Sequence, residues 1–270
     1  MKDKQPLVQV KKLVGYLDQF EDFSIAVSGG IDSMLLAYIA NRFSKANVKT
    51  VHAYSPAVPE AAFERVKEHA QLHQWDLHII NAREFDDPNY INNPVNRCYF
   101  CKSNLYARIS EHSEGEVFSG TNLNDLDDYR PGLEAAKEQS VKHPYVQVGI
   151  DKASIYVIAK HFGLSELHVL PAQPCLASRV ETGIRINADD LGFINKVEEK
   201  TRAFLPDSKN IRCRITHLGT FLEIDKLPET NLFQRLSNNL SNMCEQEGRI
   251  FSGIRAYQKG SAFINGVTHG

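Results

Sequence analysis

"AVSGGIDSMLL", residues 26–36, places two glycines, two serines and an aspartate between an apolar run and a helical one. "FSIAV", residues 23–27, reads as a strand and residues 31–44 as a helix, so Ser28-Gly29-Gly30-Ile31-Asp32-Ser33 is the turn that joins them. Glycines there permit backbone angles that expose several amide N–H groups at a helix N-terminus, and those amides together with the helix dipole make an anion site. A Walker loop needs GxxxxGK[ST], in which the lysine reaches the β- and γ-phosphates, and a dinucleotide fold needs GxGxxG. The turn carries neither pattern.

Outward from this turn, short apolar runs alternate with helical patterns. Leu7, Val10, Leu13, Val14, Leu17 and Phe20 stand at helical spacing ahead of it. After it, "VKTVHAY" leads into a helix over 59–74, "DLHII" into a loop and a helix over 101–112, and "EVFSG" into a polar loop and a helix over 131–139. That rhythm predicts an α/β fold with a mainly parallel, doubly wound sheet and ligands at the carboxyl ends of its strands. Beyond residue 175 the rhythm changes to a helix over 187–204, two strands around His217-Leu218-Gly219, a helix over 229–246 and a strand over 249–257. A smaller α+β C-terminal domain is expected there, with domains 1–172 and 173–270 and a linker in "VLPAQPCLASR", residues 169–179.

Hydrophobic content of 42% and charged content of 24% are those of an ordinary globular protein. A net charge of -2 argues against the broad basic surface that nucleic acid or an anionic membrane would call for. No stretch approaches the roughly twenty apolar residues of a membrane span, and "MKDKQPLVQVKK" lacks the apolar core of a signal peptide. A cytoplasmic protein is expected. Five cysteines, an odd number, then read as thiols or metal ligands rather than a disulfide framework.

Strand, SGGIDS and helix together resemble the PP-loop of ATP pyrophosphatases, the adenine nucleotide alpha hydrolase-like fold. The resemblance implies that Ser28, Gly29, Gly30, Asp32 and Ser33 grip the β,γ-diphosphate of ATP and that cleavage falls between the α and β phosphates. The missing lysine agrees with it. Cys98 and Cys101 stand as CxxC in "NPVNRCYFCKSNLY", and Cys175 lies in "PAQPCLASR". A CxxC alone fits zinc, redox chemistry or an iron-sulfur cluster about equally. No second CxxC completes a four-cysteine zinc site, whereas three thiolates suit a [4Fe-4S] cluster with one iron open to hydrosulfide.

The combination is similar to the LarE family, the sulfur transferases that make the nickel-pincer nucleotide cofactor. The matching stretches are "SGGIDS", "SPAVPEAAFERVKEHA", "NPVNRCYFCKSNLY", "SGTNLNDLDDYRPGLEAAKEQSV", "CLASR" and "IRCR", over most of residues 1–215. The resemblance implies ATP-dependent adenylation of a carboxylate on a pyridinium dicarboxylate mononucleotide, displacement of AMP by sulfur, and a thiocarboxylate product. It also implies ATP, Mg2+ and a [4Fe-4S] cluster on Cys98, Cys101 and Cys175 as cofactors, a sulfide or other sulfur donor, and a homo-oligomer. In sacrificial members the residue matching Cys175 surrenders its own sulfur. Members that also carry the CxxC resemble cluster enzymes, and that version is expected here. tRNA thiolation or amide ligation by the same loop is the alternative.

Arg212 and Arg214, two apart on a strand, point from one face and could clasp a phosphate, with Ser178 and Arg179 helping; a solvated strand face is the other reading. Asn122 and Asp125 in "TNLNDLDDYRPG" could contact adenine, ribose or magnesium, Asp32 being a second magnesium candidate, although such loops are also ordinary solvent loops. Cys175, Asp32 and Arg179 are the expected catalytic residues. His69 and His73 lack the glutamate of HExxH and read as a solvated helix face; Cys213, Cys244 and Trp75 read as core. Departures from the family are Ser119 for the acid of DGTN, His168-Val169-Leu170 for Trp-Asp-Lys, and Glu181-Thr182-Gly183 for PYG. The family's later glutamate falls on Glu198 or Glu199. These changes lie on the acceptor side and leave the turn intact.

Overall fold

The structure is a computed structural model that describes residues 4–113, 115–126, 131–170 and 174–258. It divides into two compact units, residues 1–87 with 96–173, and residues 88–95 with 174–270. The expected domain boundary and part of the expected linker fall on residues 171–173, and part of the acidic loop on residues 127–130; both lie outside the described residues.

Along the chain, the elements begin with α1 (Lys4–Leu17), β1 (Asp22–Ala26), α2 (Ile31–Phe43), β2 (Asn47–Tyr54), α3 (Glu60–His73) and β3 (Asp76–Asn81). Next come α4 (Pro88–Ile91), α5 (Arg97–Glu111), β4 (Glu116–Ser119), α6 (Pro131–Glu138), α7 (Pro144–Val148), α8 (Lys152–His161) and α9 (Ser165–His168). The last are α10 (Ala188–Phe204), β5 (Ile211–Thr216), β6 (Gly219–Ile224), α11 (Thr230–Gln246) and β7 (Phe251–Ala256).

In the first unit the strands form a parallel sheet in the order β3-β2-β1-β4. Side chains alternate across it, as strand geometry requires. Phe23, Ile25 and Val27 enter the core shared with α1, α2, α3, α7, α8 and α9, whereas Ala26 packs against the opposite core, where Val51, Tyr106, Ile109, Val117 and Ala136 meet. Neighbours in β4 divide the same way, Val117 to one core and Phe118 to the other. Apolar layers on both faces are the signature of a doubly wound sheet, and the expected α/β fold is observed. Helix α2 is buried from Ile31 to Ala40 except at Asp32, so it runs through the middle of one layer and its N-terminus has a fixed position above β1.

In the second unit β5 and β6 pair antiparallel and β6 and β7 parallel, in a three-stranded sheet. Cys213, Cys244, Val197, Leu222 and Leu240 line an apolar hollow there, so the two cysteines act as core residues as expected. The segment 88–95 belongs to this unit because Asn93, fully buried, donates from Nδ2 to the carbonyls of Glu181 and Ile184 at 2.9 Å each.

Two expectations change. Helix α5 starts at Arg97, four residues before the expected start, so Cys98 and Cys101 sit within its first turns rather than at the edge of a loop. His69 and His73 are not on a solvated face. His69 is buried with Nε2 2.9 Å from Glu166 Oε1, and both rings lie against Trp75, because the core closes over that side of α3. Among the described residues no helix is long and apolar enough to cross a membrane.

Candidate functional site

Two groups of candidate residues take shape, one in each unit. In the first, β1 ends at Ala26 and α2 opens at Ile31, with Gly30 as its N-cap making no side-chain capping bond. The leading amides of an α-helix have no partner four residues back, so this end presents N–H groups outward. Gly29 adopts φ +79°, and a Cβ there would lie 2.6 Å from the Ala62 carbonyl oxygen. Only glycine fits, and helix α3 is pressed against the turn. Arg65 of α3 donates from Nη1 to the Gly29 carbonyl at 2.8 Å. Ser33 Oγ accepts from the Ser28 amide at 3.1 Å and donates to the Gly30 carbonyl at 3.2 Å, and the two serine hydroxyls are 3.3 Å apart. The turn is thus braced internally by both serines.

Asp32 is gripped by residues from later in the chain. Lys152 Nζ lies 2.7 and 2.6 Å from its two carboxylate oxygens, Asn122 Nδ2 donates to it at 3.3 Å, and the buried Tyr145 hydroxyl donates to its main-chain carbonyl at 3.1 Å. Burial, and then the Asp32 charge, hold the Tyr145 phenol protonated far above its usual range. The buried Asn122 also donates from Nδ2 to Asp125 at 2.9 Å, so Asn122 reaches the turn directly and Asp125 is tied to it through Asn122. Gly120 after β4 makes this approach feasible, since a Cβ there would lie 2.6 Å from the Ser33 amide nitrogen. Ser119, which stands where the resembling family has an acid, shares a 2.8 Å hydrogen bond with His143 Nδ1. Burial lowers the His143 pKa, with Asp125 acting in the opposite sense.

In the second unit Cys175 precedes a 3-10 turn, Leu176–Arg179. Arg179 folds back to donate from Nη1 to the Pro174 carbonyl at 2.6 Å and the Cys175 carbonyl at 3.1 Å, while Nε and Nη2 each meet Glu198 at 2.9 Å. Burial opposes the charge on Arg179, and Glu198 more than offsets it. Of the two candidate glutamates Glu198 is the one built in, also accepting from the Cys213 amide at 3.0 Å; Glu199 is exposed and bonded to Asn195.

Arg214 donates from Nε to Glu223 at 2.8 Å and from Nη1 to the Ser178 carbonyl at 2.7 Å, and Arg255 takes the other Glu223 oxygen at 3.0 and 2.8 Å. Arg212 is buried beside them, its pKa lowered first by burial and next by the Arg179 charge. Cys175, Ser178, Arg179, Arg212 and Arg214 are therefore brought together, and they do not form a solvated strand face. Among the described residues the guanidinium groups of Arg179, Arg212, Arg214 and Arg255 stand near the buried carboxylates Glu198 and Glu223, with buried Glu181 two residues beyond Arg179, a charged surround that could receive an anion.

Cys98 is exposed and Cys101 half-buried, three apart at the start of α5 and so on one helix face. They belong to the first unit and Cys175 to the second. Among the described residues no group of three or more His, Cys, Asp or Glu is gathered for a metal ion.

Lys152, Arg65, Tyr145, Glu223 and Arg255 escape the sequence reading. They reach the site through contacts 9 to 120 positions long, and Arg65 alone lies in a quoted matching stretch, which gives it no role.

No family model matches the chain. It is 35% identical over 196 residues to the uncharacterized protein slr1717 of Synechocystis, covering 71% of this chain and 72% of that one. It is 27% identical over 216 residues to the uncharacterized protein MJ0830 of Methanocaldococcus jannaschii, covering 76% and 82%. With the pyridinium-3,5-bisthiocarboxylic acid mononucleotide synthase of Lactiplantibacillus plantarum it shares 25% identity over 196 residues, 71% of each chain.

Proposed function

The chain belongs to the LarE family, and from that premise we propose that it is an ATP-dependent sulfur transferase acting on a small carboxylated nucleotide of the pyridinium dicarboxylate class. The single observation that carries the reading is the turn at residues 28–33. Its glycine geometry, its two bracing serines and the amides opening α2 make a seat for a diphosphate above the sheet.

A carboxylate oxygen is a very poor leaving group, so direct attack by sulfur is too slow to be useful. In the proposed reaction the substrate carboxylate attacks the α-phosphorus of ATP, the α–β P–O bond breaks, and pyrophosphate departs from the turn. A sulfur nucleophile then adds to the acyl carbon and AMP leaves, giving the thiocarboxylate. Asp32, with Asp125, would offer oxygen ligands to Mg2+, which prefers a carboxylate or two together with phosphates and water. Holding the acyl phosphate and the sulfur in register is where most of the rate would come from.

The charged surround of Ser178, Arg212 and Arg214 suits the single phosphate of the acceptor, and Arg179 fixes the main chain of Cys175. Cys98, Cys101 and Cys175 would be the ligands of a [4Fe-4S] cluster, whose open iron would supply bound hydrosulfide. The placement of Cys98 and Cys101 three residues apart at the start of α5 fits two such ligands. A second reading, in which Cys175 gives up its own sulfur, is favoured by the Arg179 clamp on the Cys175 carbonyl, which fixes the main chain that carries the thiol. Homo-oligomerisation and a cytoplasmic setting belong to the same proposal.

The test is incubation of anaerobically prepared protein with ATP, Mg2+ and pyridinium-3,5-dicarboxylate mononucleotide, followed by mass analysis of the small molecule and of Cys175. A thiocarboxylate with intact Cys175 and a brown protein supports the cluster route. A thiocarboxylate with Cys175 lighter by hydrogen sulfide supports the sacrificial one. Pyrophosphate release only with tRNA or ammonia assigns a different acceptor, and no pyrophosphate under any condition ends the reading.

A further inference from the structure

The three-stranded sheet of the second unit carries a row of charge across its full width. Register places Arg212 of β5 opposite Glu223 of β6, and Glu223 opposite Arg255 of β7, so the three side chains leave the same face. In the next row Arg214 stands opposite Phe221, and Phe221 opposite Gly253. Arg212, Arg214 and Glu223 are buried, whereas the Arg255 side chain is 44% exposed. Arg255 is thus the point at which this charged face opens to solvent.

Its guanidinium is held in one pose. Nε and Nη2 donate to Glu223 Oε1 at 3.0 and 2.8 Å, and Cζ lies over the Phe221 ring, 4.4 Å from the centroid. Gly253, with open space where a Cβ would stand, leaves the row clear for it. A guanidinium carries five N–H donors in a fixed fork. Glu223 occupies the edge formed by Nε and Nη2, and among the described residues Nη1 meets no acceptor, so the edge formed by Nη1 and Nη2 remains open. Glu223 has no need of this second cation, since Arg214 Nε already meets its Oε2 at 2.8 Å. An ion pair half open to solvent also adds only about 0–1 kcal/mol to stability. The fold gains little from Arg255, and an anion can reach it.

We propose that Arg255 is a specificity-determining residue for the acceptor: its open Nη1/Nη2 edge takes the ring carboxylate that is not being activated, through two parallel hydrogen bonds. This rests on the reading of the acceptor as a pyridinium dicarboxylate mononucleotide, which carries three anionic groups. One carboxylate is adenylated, the phosphate falls to Arg212 and Arg214, and the remaining carboxylate calls for a planar, two-pronged donor. Glu223 orients that donor without blocking its outer edge. A ring with a single carboxylate leaves the edge unmatched, which is how the site tells the two rings apart.

The test is calorimetric titration of the whole protein with pyridinium-3,5-dicarboxylate mononucleotide and separately with pyridinium-3-carboxylate mononucleotide, for the unaltered chain, Arg255→Met and Arg255→Lys. The unaltered chain should favour the dicarboxylate. Loss of a charge-assisted, two-pronged contact should weaken dicarboxylate binding about 10- to 100-fold in Arg255→Met and weaken the single-carboxylate compound far less, so that the preference collapses. Arg255→Lys should restore only part of the preference, because an ammonium keeps the charge and loses the planar edge. Equal losses for both compounds in Arg255→Met, a preference that survives that change, or full restoration by Arg255→Lys would overturn the assignment. Far-ultraviolet dichroism identifies a variant that has lost its fold; should Arg255→Met do so, an undiminished preference in Arg255→Lys overturns it instead. An unaltered chain that binds both compounds equally removes the specificity and leaves sulfur transfer standing, whereas one that binds neither ends the acceptor reading and the arginine's role together.

Discussion

The turn at residues 28–33 and the loop at Cys175 solve opposite problems with opposite materials. In the proposed reaction the turn attracts a highly charged diphosphate with main-chain amides, and its side chains mostly brace one another: Ser28 against Ser33, Arg65 against the Gly29 carbonyl. The Cys175 loop is surrounded by side-chain charge, guanidinium groups beside buried carboxylates, fixed by hydrogen bonds of 2.6–3.1 Å. Amide dipoles have a fixed direction and cannot be titrated, which suits a ligand identical in every turnover. Guanidinium groups add full charge and planar, two-pronged geometry, which suits the recognition of one particular acceptor.

The largest expected effect separates the two regions by step. Cys175→Ala should abolish thiocarboxylate formation while acceptor-dependent pyrophosphate release persists, measured by mass analysis and a phosphate assay on the same sample. Loss of both products would mean that the regions do not act in sequence. Glu198→Gln comes next. It leaves the Arg179 guanidinium buried without its carboxylate, which costs about 3–5 kcal/mol. The single tryptophan, Trp75, lies in the first unit, so its fluorescence reports that unit, whereas far-ultraviolet dichroism reports both. The variant should bring forward a dichroism transition in urea and leave the fluorescence midpoint in place. A shift of both midpoints together would break the contrast and make the units one cooperative block.

Gly29→Ala should act on the first unit alone. It forces a side chain into φ +79° against Ala62, a strain of about 1–3 kcal/mol, visible as a lower fluorescence midpoint and a weaker affinity for ATP. The smallest effect is on acidification. His52, His69 and His143, all in the first unit, have pKa values lowered chiefly by burial. Each therefore binds a proton more readily in the unfolded chain. Stability from this source is complete above the ordinary histidine pKa of about 6.5 and declines as pH falls through the lower folded values. Between pH 7 and pH 5.5 amide protection factors, which are corrected for the slower intrinsic exchange at lower pH, should fall in the first unit more than in the second; an equal fall would remove this distinction.

The same contrast decides what the sequence can reveal. The turn is six consecutive residues whose glycines and serines act on their own neighbours, so the strand-to-helix turn at Ser28 to Ser33 is readable without a structure. The parallel sheet is readable for a similar reason, since alternation and apolar runs are local. The arginine cluster is readable only in part. The pair Arg212 and Arg214 shares a strand, but its commitments to Ser178, Glu223 and the neighbourhood of Arg179 arise from pairing β5 with β6 and from packing α10 against the Cys175 loop. Lys152 gives no signal at all in one dimension, because it follows an ordinary helix cap. Burial of His69 likewise depends on Glu166 and Trp75, which a helical wheel does not contain. The early start of α5 is missed because Asn96 makes no side-chain capping bond and Pro94 suggests a continuing loop.

The segment Pro88–Val95 has a consequence for the order in which the molecule is made. It leaves the ribosome 88 positions before Glu181, the residue whose carbonyl Asn93 holds, so the second unit cannot be completed until a piece synthesised early has waited for partners synthesised late. During that interval the buried Tyr90 and Asn93 have no home, and a nascent chain halted near residue 170 carries them as an orphan hydrophobic and amide pair. A fragment cut after residue 173 inherits the complementary defect, with the carbonyls of Glu181 and Ile184 left facing a hole.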